Sequence, residues 1–224
     1  MKRQVSLDEI SDGRLYELND MVKAGCNDCI GCSDCCGGMG NSIILDPLDC
    51  HRLVLNLKIT FEELLVNRIE LNVVEGIILP NLKMTMSSEK CSFLDEKGRC
   101  SIHEFRPGIC RIFPLGRYYE NQSFKYFLQV RECSRENKTK VKVKKWIDTP
   151  ELKNYEQFIT EWHYFLEAVE ECIKKSQDEK TVKEINLYIL KSFYLTSYDS
   201  QVDFYEEFSR RLQVARAFCL KDQK

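Results

Sequence analysis

Five cysteines fall within eleven residues, "CNDCIGCSDCC", at positions 26, 29, 32, 35 and 36. A loop this dense in thiols has four explanations: disulfides, zinc, an iron–sulfur cluster or a thiol redox pair. Disulfide scaffolds suit small secreted chains whose cores are too small to stand alone. Here 224 residues, 43% of them hydrophobic, supply a core without stapling. The opening "MKRQVSLDEISDGRLYELND" shows no apolar segment of the secretory type. A reducing cytoplasm is therefore expected, where such a run reads as metal-binding before it reads as disulfides. A redox pair wants one isolated C-x-x-C at a helix start, whereas overlapping pairs compete for a single site.

The ladder Cys29-x2-Cys32-x2-Cys35 lets a tight loop present three sulfurs to one centre, as iron–sulfur loops do. Zinc knuckles more often use two separated C-x2-C pairs, so the spacing leans toward iron. Cys36 follows Cys35 directly, and in an extended or looped backbone neighbouring side chains face different sides, which suggests two neighbouring metals. Gly37, Gly38 and Gly40 allow close backbone approach; a phosphate cradle is discounted because no strand–GxxxxGK–helix context surrounds them.

A second block, "CSFLDEKGRCSIHEFRPGICRIFPLGR", adds Cys91, Cys100 and Cys110, and Cys133 follows. Arg99, Arg106, Arg111 and Arg117 are interleaved with them, either to offset an anionic cluster or as ordinary surface ion pairs. With His51, His103 and His163 as the only histidines, a histidine-based catalytic zinc site is disfavoured. Cys50, Cys172 and Cys219 read as buried small hydrophobes.

The spacing of Ile10, Leu15, Leu18, Met21 and Val22 predicts a leading helix within residues 1–25. Asp46 and Pro47 predict an N-cap and first helical position after a short strand, and Thr60 with Glu63 a capping box. "GIILPNLKMTM" reads as extended, with Pro80 and Asn81 at a turn. A hairpin is expected around Asn121 and Gln122, and a linker or exposed edge strand over 136–145. From Leu152 to Ile173 apolar residues recur at threes and fours, predicting a long amphipathic helix. The expected division is a cysteine domain over residues 1–145 and a helical region over 146–224. The fold class is α+β, mainly α, an irregular cysteine-rich domain with short strands followed by C-terminal helices.

The two cysteine blocks, "CIGCSDCC" and "CSFLDEKGRCSIHEFRPGICRIFPLGR", together resemble the CxxCxxCC family of bacterial cysteine-cluster proteins, described as zinc- or iron-chelating domains. The resemblance spans roughly residues 26–133 and omits the helical tail. It implies eight metal ligands: Cys29, Cys32, Cys35, Cys36, Cys91, Cys100, Cys110 and Cys133. Cys26 lies one step outside the motif and is an extra candidate only. The family also resembles flagellin lysine N-methylases, which brings in S-adenosylmethionine as a cofactor. The leading expectation is a cytoplasmic protein holding one or two iron–sulfur clusters for redox or cluster-dependent chemistry. The alternatives are an S-adenosylmethionine-dependent protein methylase and a structural zinc interaction module. With a net charge of −2 and no apolar span, the expected partner is a protein or small molecule, not nucleic acid or membrane.

Overall fold

The structure, a computed structural model, describes residues 6–26, 32–85, 89–176 and 178–221. Its first half runs through helix α1 (Leu7–Ile10), strands β1 (Ser11–Tyr16) and β2 (Met21–Gly25), helices α2 (Pro47–Leu57) and α3 (Phe61–Asn67), and strands β3 (Ile69–Val74) and β4 (Ile77–Leu82). Helix α4 (Gly108–Ile112), strands β5 (Leu115–Glu120), β6 (Ser123–Gln129) and β7 (Thr139–Lys142), and helix α5 (Val143–Ile147) follow. Helices α6 (Leu152–Lys175), α7 (Glu179–Leu190) and α8 (Phe204–Cys219) end the chain. About 46% of the chain is helical and its sheets are small and antiparallel, so the class is α+β, mainly α. Among the described residues no helix is long and apolar enough to cross a membrane. Two compact units form, one from residues 44–82 and 153–224, the other from residues 2–43 and 83–152.

In the first unit the caps expected from the sequence are present. Asp46 and Asp49 form a reciprocal capping box with Pro47 at the first helical position, and Thr60 and Glu63 do the same for α3. These side chains satisfy N–H groups that the first helical turn leaves open. The short strand before α2 reduces to one bridge, Ile44 to Asn81. Pro80 and Asn81 lie inside β4, not at a turn. Proline is tolerated because Pro80 needs no donor there; its carbonyl accepts from Leu45 N at 2.8 Å. The reversal is instead at Glu75–Gly76, both at positive φ. Asn186 of α7 holds this hairpin: its Oδ1 accepts from Ile78 N at 2.6 Å, and its Nδ2 donates to Gly76 O at 3.1 Å. The aromatic face of α6 is buried as expected, with Phe158 4.6 Å from Phe208 and Trp162 4.9 Å from Phe193, centroid to centroid.

The second unit carries a three-stranded sheet in the order β1-β6-β5 and a two-stranded sheet β2-β7. The helix expected within residues 1–25 is corrected to one helical turn followed by β1 and β2. Leu15 and Met21, assigned to its apolar face, are exposed, while Val22 and Ala24 are buried at strand period. Gly13 at positive φ breaks the helical path, and β6 and β7, over a hundred residues along, supply the pairing that overrides local spacing. Asn121 and Gln122, both at positive φ, make the expected tight hairpin between β5 and β6. Gly116 sits under Phe127, where an added Cβ would lie 2.4 Å from the ring. The expected edge strand is β7, continued by α5. Tyr16, Val22, Ala24, Ile112, Leu115, Tyr126, Val143 and Ile147 form this unit's core cluster.

Candidate metal centre

The ladder reaches its end in a 3-10 turn, Asp34–Cys36, closed by Cys36 N to Ser33 O at 2.8 Å. Immediately afterwards Gly38, at positive φ, turns the chain against the second cysteine block. There Gly38 N donates to Glu89 O at 2.8 Å and Cys91 N to Cys36 O at 2.7 Å. The second block is a knot of tight turns over a small apolar anchor, the buried Phe93 and Ile102. Asp95 organises its "DEKG" turn, accepting from Lys97 N and Arg99 N through Oδ1. A bridge from Leu94 to Cys100 closes that turn. Aspartate at a turn start and Gly98 at positive φ are what such a turn requires.

Two thiol groups result. Cys26, Cys32, Cys35 and Cys133 line one cavity of about 20 Å³, together with Asp34, Ser134, Arg135, Phe113, Pro114 and Trp146. Space of that size takes one water-sized body. Trp146 is held in its wall by Nε1 donating to the carbonyls of Ile112 and Phe113, both at 3.1 Å. The loop bearing Cys133 is tied down by Ser134, which donates to Asp34, and by Lys138 Nζ, which donates to Cys133 O at 2.9 Å. The other group is Cys36 with Cys91 and Cys100, both of which act on the Cys36 thiol through their charge. Cys35 and Cys36 are hydrogen-bonded through their thiols, so the groups meet at that pair. The expectation that these neighbours face apart is therefore corrected: a 3-10 turn, not an extended backbone, brings the thiols into contact.

The thiol electrostatics follow from this. The hydrogen bond from Cys36 is the main cause that lowers the Cys35 thiol to about 7, opposed by burial and assisted by Arg106. Cys36 is pushed upward by the same bond and by burial, and Cys100 upward by burial. Arg106 acts on the Cys35 thiol in the direction a positive charge should, and its Nε is buried without a hydrogen-bond partner. Arg111 instead donates to two backbone carbonyls, Asp148 O at 3.1 Å and Glu104 O. Arg117 lies over the Phe124 ring. His103 pairs with Arg106.

Of the eight ligands implied by resemblance, Cys29 lies outside the described residues. Cys32, Cys35 and Cys133 share the cavity; Cys36, Cys91 and Cys100 form the neighbouring group; Cys110, half-buried on α4, does not line the cavity. Cys50 and Cys219 are buried thiols, with burial raising the Cys219 pKa to about 12. Among the described residues no three histidine, cysteine or acidic side chains stand close enough to hold a single ion as placed. Sequence reasoning missed the cavity's non-cysteine wall. Phe113 and Pro114 fall near the end of the second cysteine block, which does not mark them as a wall, and Trp146 and Arg135 lie outside both blocks.

The profile of the CxxCxxCC family, described as "Putative zinc- or iron-chelating domain", matches residues 28–146, just over half of the chain. This chain belongs to the CxxCxxCC family. No curated protein and no solved structure matches it. Membership makes the protein a metal-binding one of the cysteine-cluster type, for zinc or iron. The donor chemistry present suits such a metal. The cavity offers thiols as donors, apolar walls and an arginine, the surroundings that soft thiolate-bound metals take.

Proposed function

We propose that the protein of this CxxCxxCC family member holds an iron–sulfur centre through its cysteine cluster and serves redox or cluster-dependent chemistry. The observation that carries this reading is the meeting of two thiol groups at the Cys35–Cys36 pair, one of them around a cavity. A single tetrahedral zinc with sulfurs at about 2.3 Å uses four thiolates crowded on one ion. In a four-iron cluster each thiolate holds its own iron, so ligands spread around a shared space and from two adjoining groups are accommodated. When bound, such a centre supplies one-electron transfer. The chain's own residues ligate it, keep water from it with Phe113, Pro114 and Trp146, and offset its negative charge with Arg106 and Arg135.

The test is anaerobic purification followed by iron, zinc and sulfide quantitation and an absorption spectrum. A brown protein with matching iron and acid-labile sulfide is expected, and the Cys35→Ser, Cys36→Ser double variant should lose both. A colourless protein with zinc and no sulfide would overturn the reading in favour of a structural zinc module.

A further inference from the structure

Cys26 belongs neither to the CxxCxxCC motif, which starts at Cys29, nor to the family match, which starts at residue 28. Yet it lines the cavity beside Cys32, Cys35 and Cys133. We propose that Cys26 is a metal ligand of this chain, an additional thiolate beside those three cysteines; this rests on the metal-centre reading above.

The fold delivers Cys26 there by means independent of the ladder. Cys26 directly follows β2, whose Val22 and Ala24 are buried in the unit's core. The strand's last residue, Gly25, pairs with Thr139 of β7. A Cβ on Gly25 would lie 2.4 Å from Thr139 Oγ1 and 3.2 Å from Thr139 O, so glycine lets the strands approach without displacing Thr139. The same β7 follows the loop carrying Cys133, which Lys138 pins through the Cys133 carbonyl. One two-stranded sheet therefore holds both chain ends that bring Cys26 and Cys133 to the cavity, while the 3-10 turn brings Cys35.

The consequence is chemical. Three protein ligands leave a position open for water or substrate, the arrangement of catalytic sites; four close the centre, the arrangement of structural and electron-carrying sites. Cys26 adds one protein donor and so moves this centre toward the closed arrangement. Arg135 lies in the same cavity wall.

The experiment uses the full chain, stripped of metal and reloaded anaerobically with cobalt(II) alone as the probe. In the loaded wild type, Cys26 should resist iodoacetamide alongside Cys32, Cys35 and Cys133, as mapped by peptide mass spectrometry, and should lose that protection on chelation. Cys26→Ser should weaken cobalt binding by at least about tenfold and diminish the thiolate-to-cobalt charge-transfer band. Cys26→His should regain affinity with the band still diminished, since nitrogen replaces sulfur. Cys172→Ser, in the helical unit, should change nothing. If Cys26 alkylates equally with and without cobalt while Cys32 and Cys35 are protected, Cys26 is no ligand but the metal centre stands. If the wild type shows neither band nor protection, both readings fall.

Discussion

Replacing Arg111 by lysine separates two roles that an arginine beside a metal centre can have. If Arg111 acts as a positive charge, lysine preserves its function. The structure assigns it otherwise: buried to 9% exposure, it donates from Nη1 to Asp148 O and from Nη2 to Glu104 O. It thereby joins the turn at His103–Phe105 to the end of α5, across α4, which carries Cys110. Each charge-assisted bond contributes about 1.5–3 kcal/mol. A single ammonium on a flexible stem cannot span two carbonyls in a fixed fork, so lysine recovers about one of them. The expected loss is about 2 kcal/mol, which is about thirtyfold in the opening equilibrium. Hydrogen exchange reads this directly at Phe113 and Asp148, whose N–H groups close α4 and α5 by donating to Ile109 O and Lys144 O. Both amides should exchange about thirtyfold faster in Arg111→Lys, and faster still in Arg111→Met. Exchange in the lysine variant within a factor of about three of wild type would refute the bridging role and restore the electrostatic one.

Asn186→Ala strands Ile78 N and Gly76 O inside the first unit and should cost about 3 kcal/mol, measured as a lowered urea midpoint at constant slope; a shift equivalent to less than about 1 kcal/mol would contradict it. Burial holds the His51 imidazole below its ordinary 6.5, so the unfolded chain takes up the proton first and stability falls as pH drops below about 6.5. His51→Phe, between the rings of Tyr198 and Phe204, should flatten that acid limb; an unchanged slope between about pH 7 and pH 5 would sink the assignment. Chelating the metal in reducing buffer should speed hydrogen exchange over residues 32–38 and 89–101 and leave β6 and α6 protected. Uniform loosening of all four segments would show that the metal holds more than its own loops.

Much of the fold was legible because its signals are local. Asp46-Pro47 and Thr60–Glu63 cap helices through their own side chains, Asn121–Gln122 bend a hairpin, and the aromatic stripe of α6 needs no knowledge of its partners. The misread parts are those decided by distant chain. Residues 11–25 became strands because β6 and β7 exist to pair with them. Pro80 entered a strand because Leu45 needed its carbonyl. The cysteine pattern announced a metal-binding family and the spacing announced a loop, but neither could say which thiols share a space. That division depends on the 3-10 turn at Asp34–Cys36 and on the register of β2 against β7, and a repeated C-x-x-C encodes neither.

That register also says what must exist before a metal arrives. Cys26 and Cys133 stand about a hundred residues apart, and closing such a loop costs about 4 kcal/mol in chain entropy. Small metallo-domains recover this cost from the metal, which is why they unfold without it. Here the closure is made by β1 on β6, β2 on β7 and an eight-residue core, whose larger side chains such as Val22, Leu115 and Ile147 contribute about 1.5–3 kcal/mol each on burial. That packing does not involve the thiols, so the strands that lead to Cys26 and Cys133 have a source of order other than the metal. The segments 32–38 and 89–101 have only Cys91 and Phe93 buried among them. It is there, on Cys32, Cys35, Cys36, Cys91 and Cys100, that metal binding has ordering left to do.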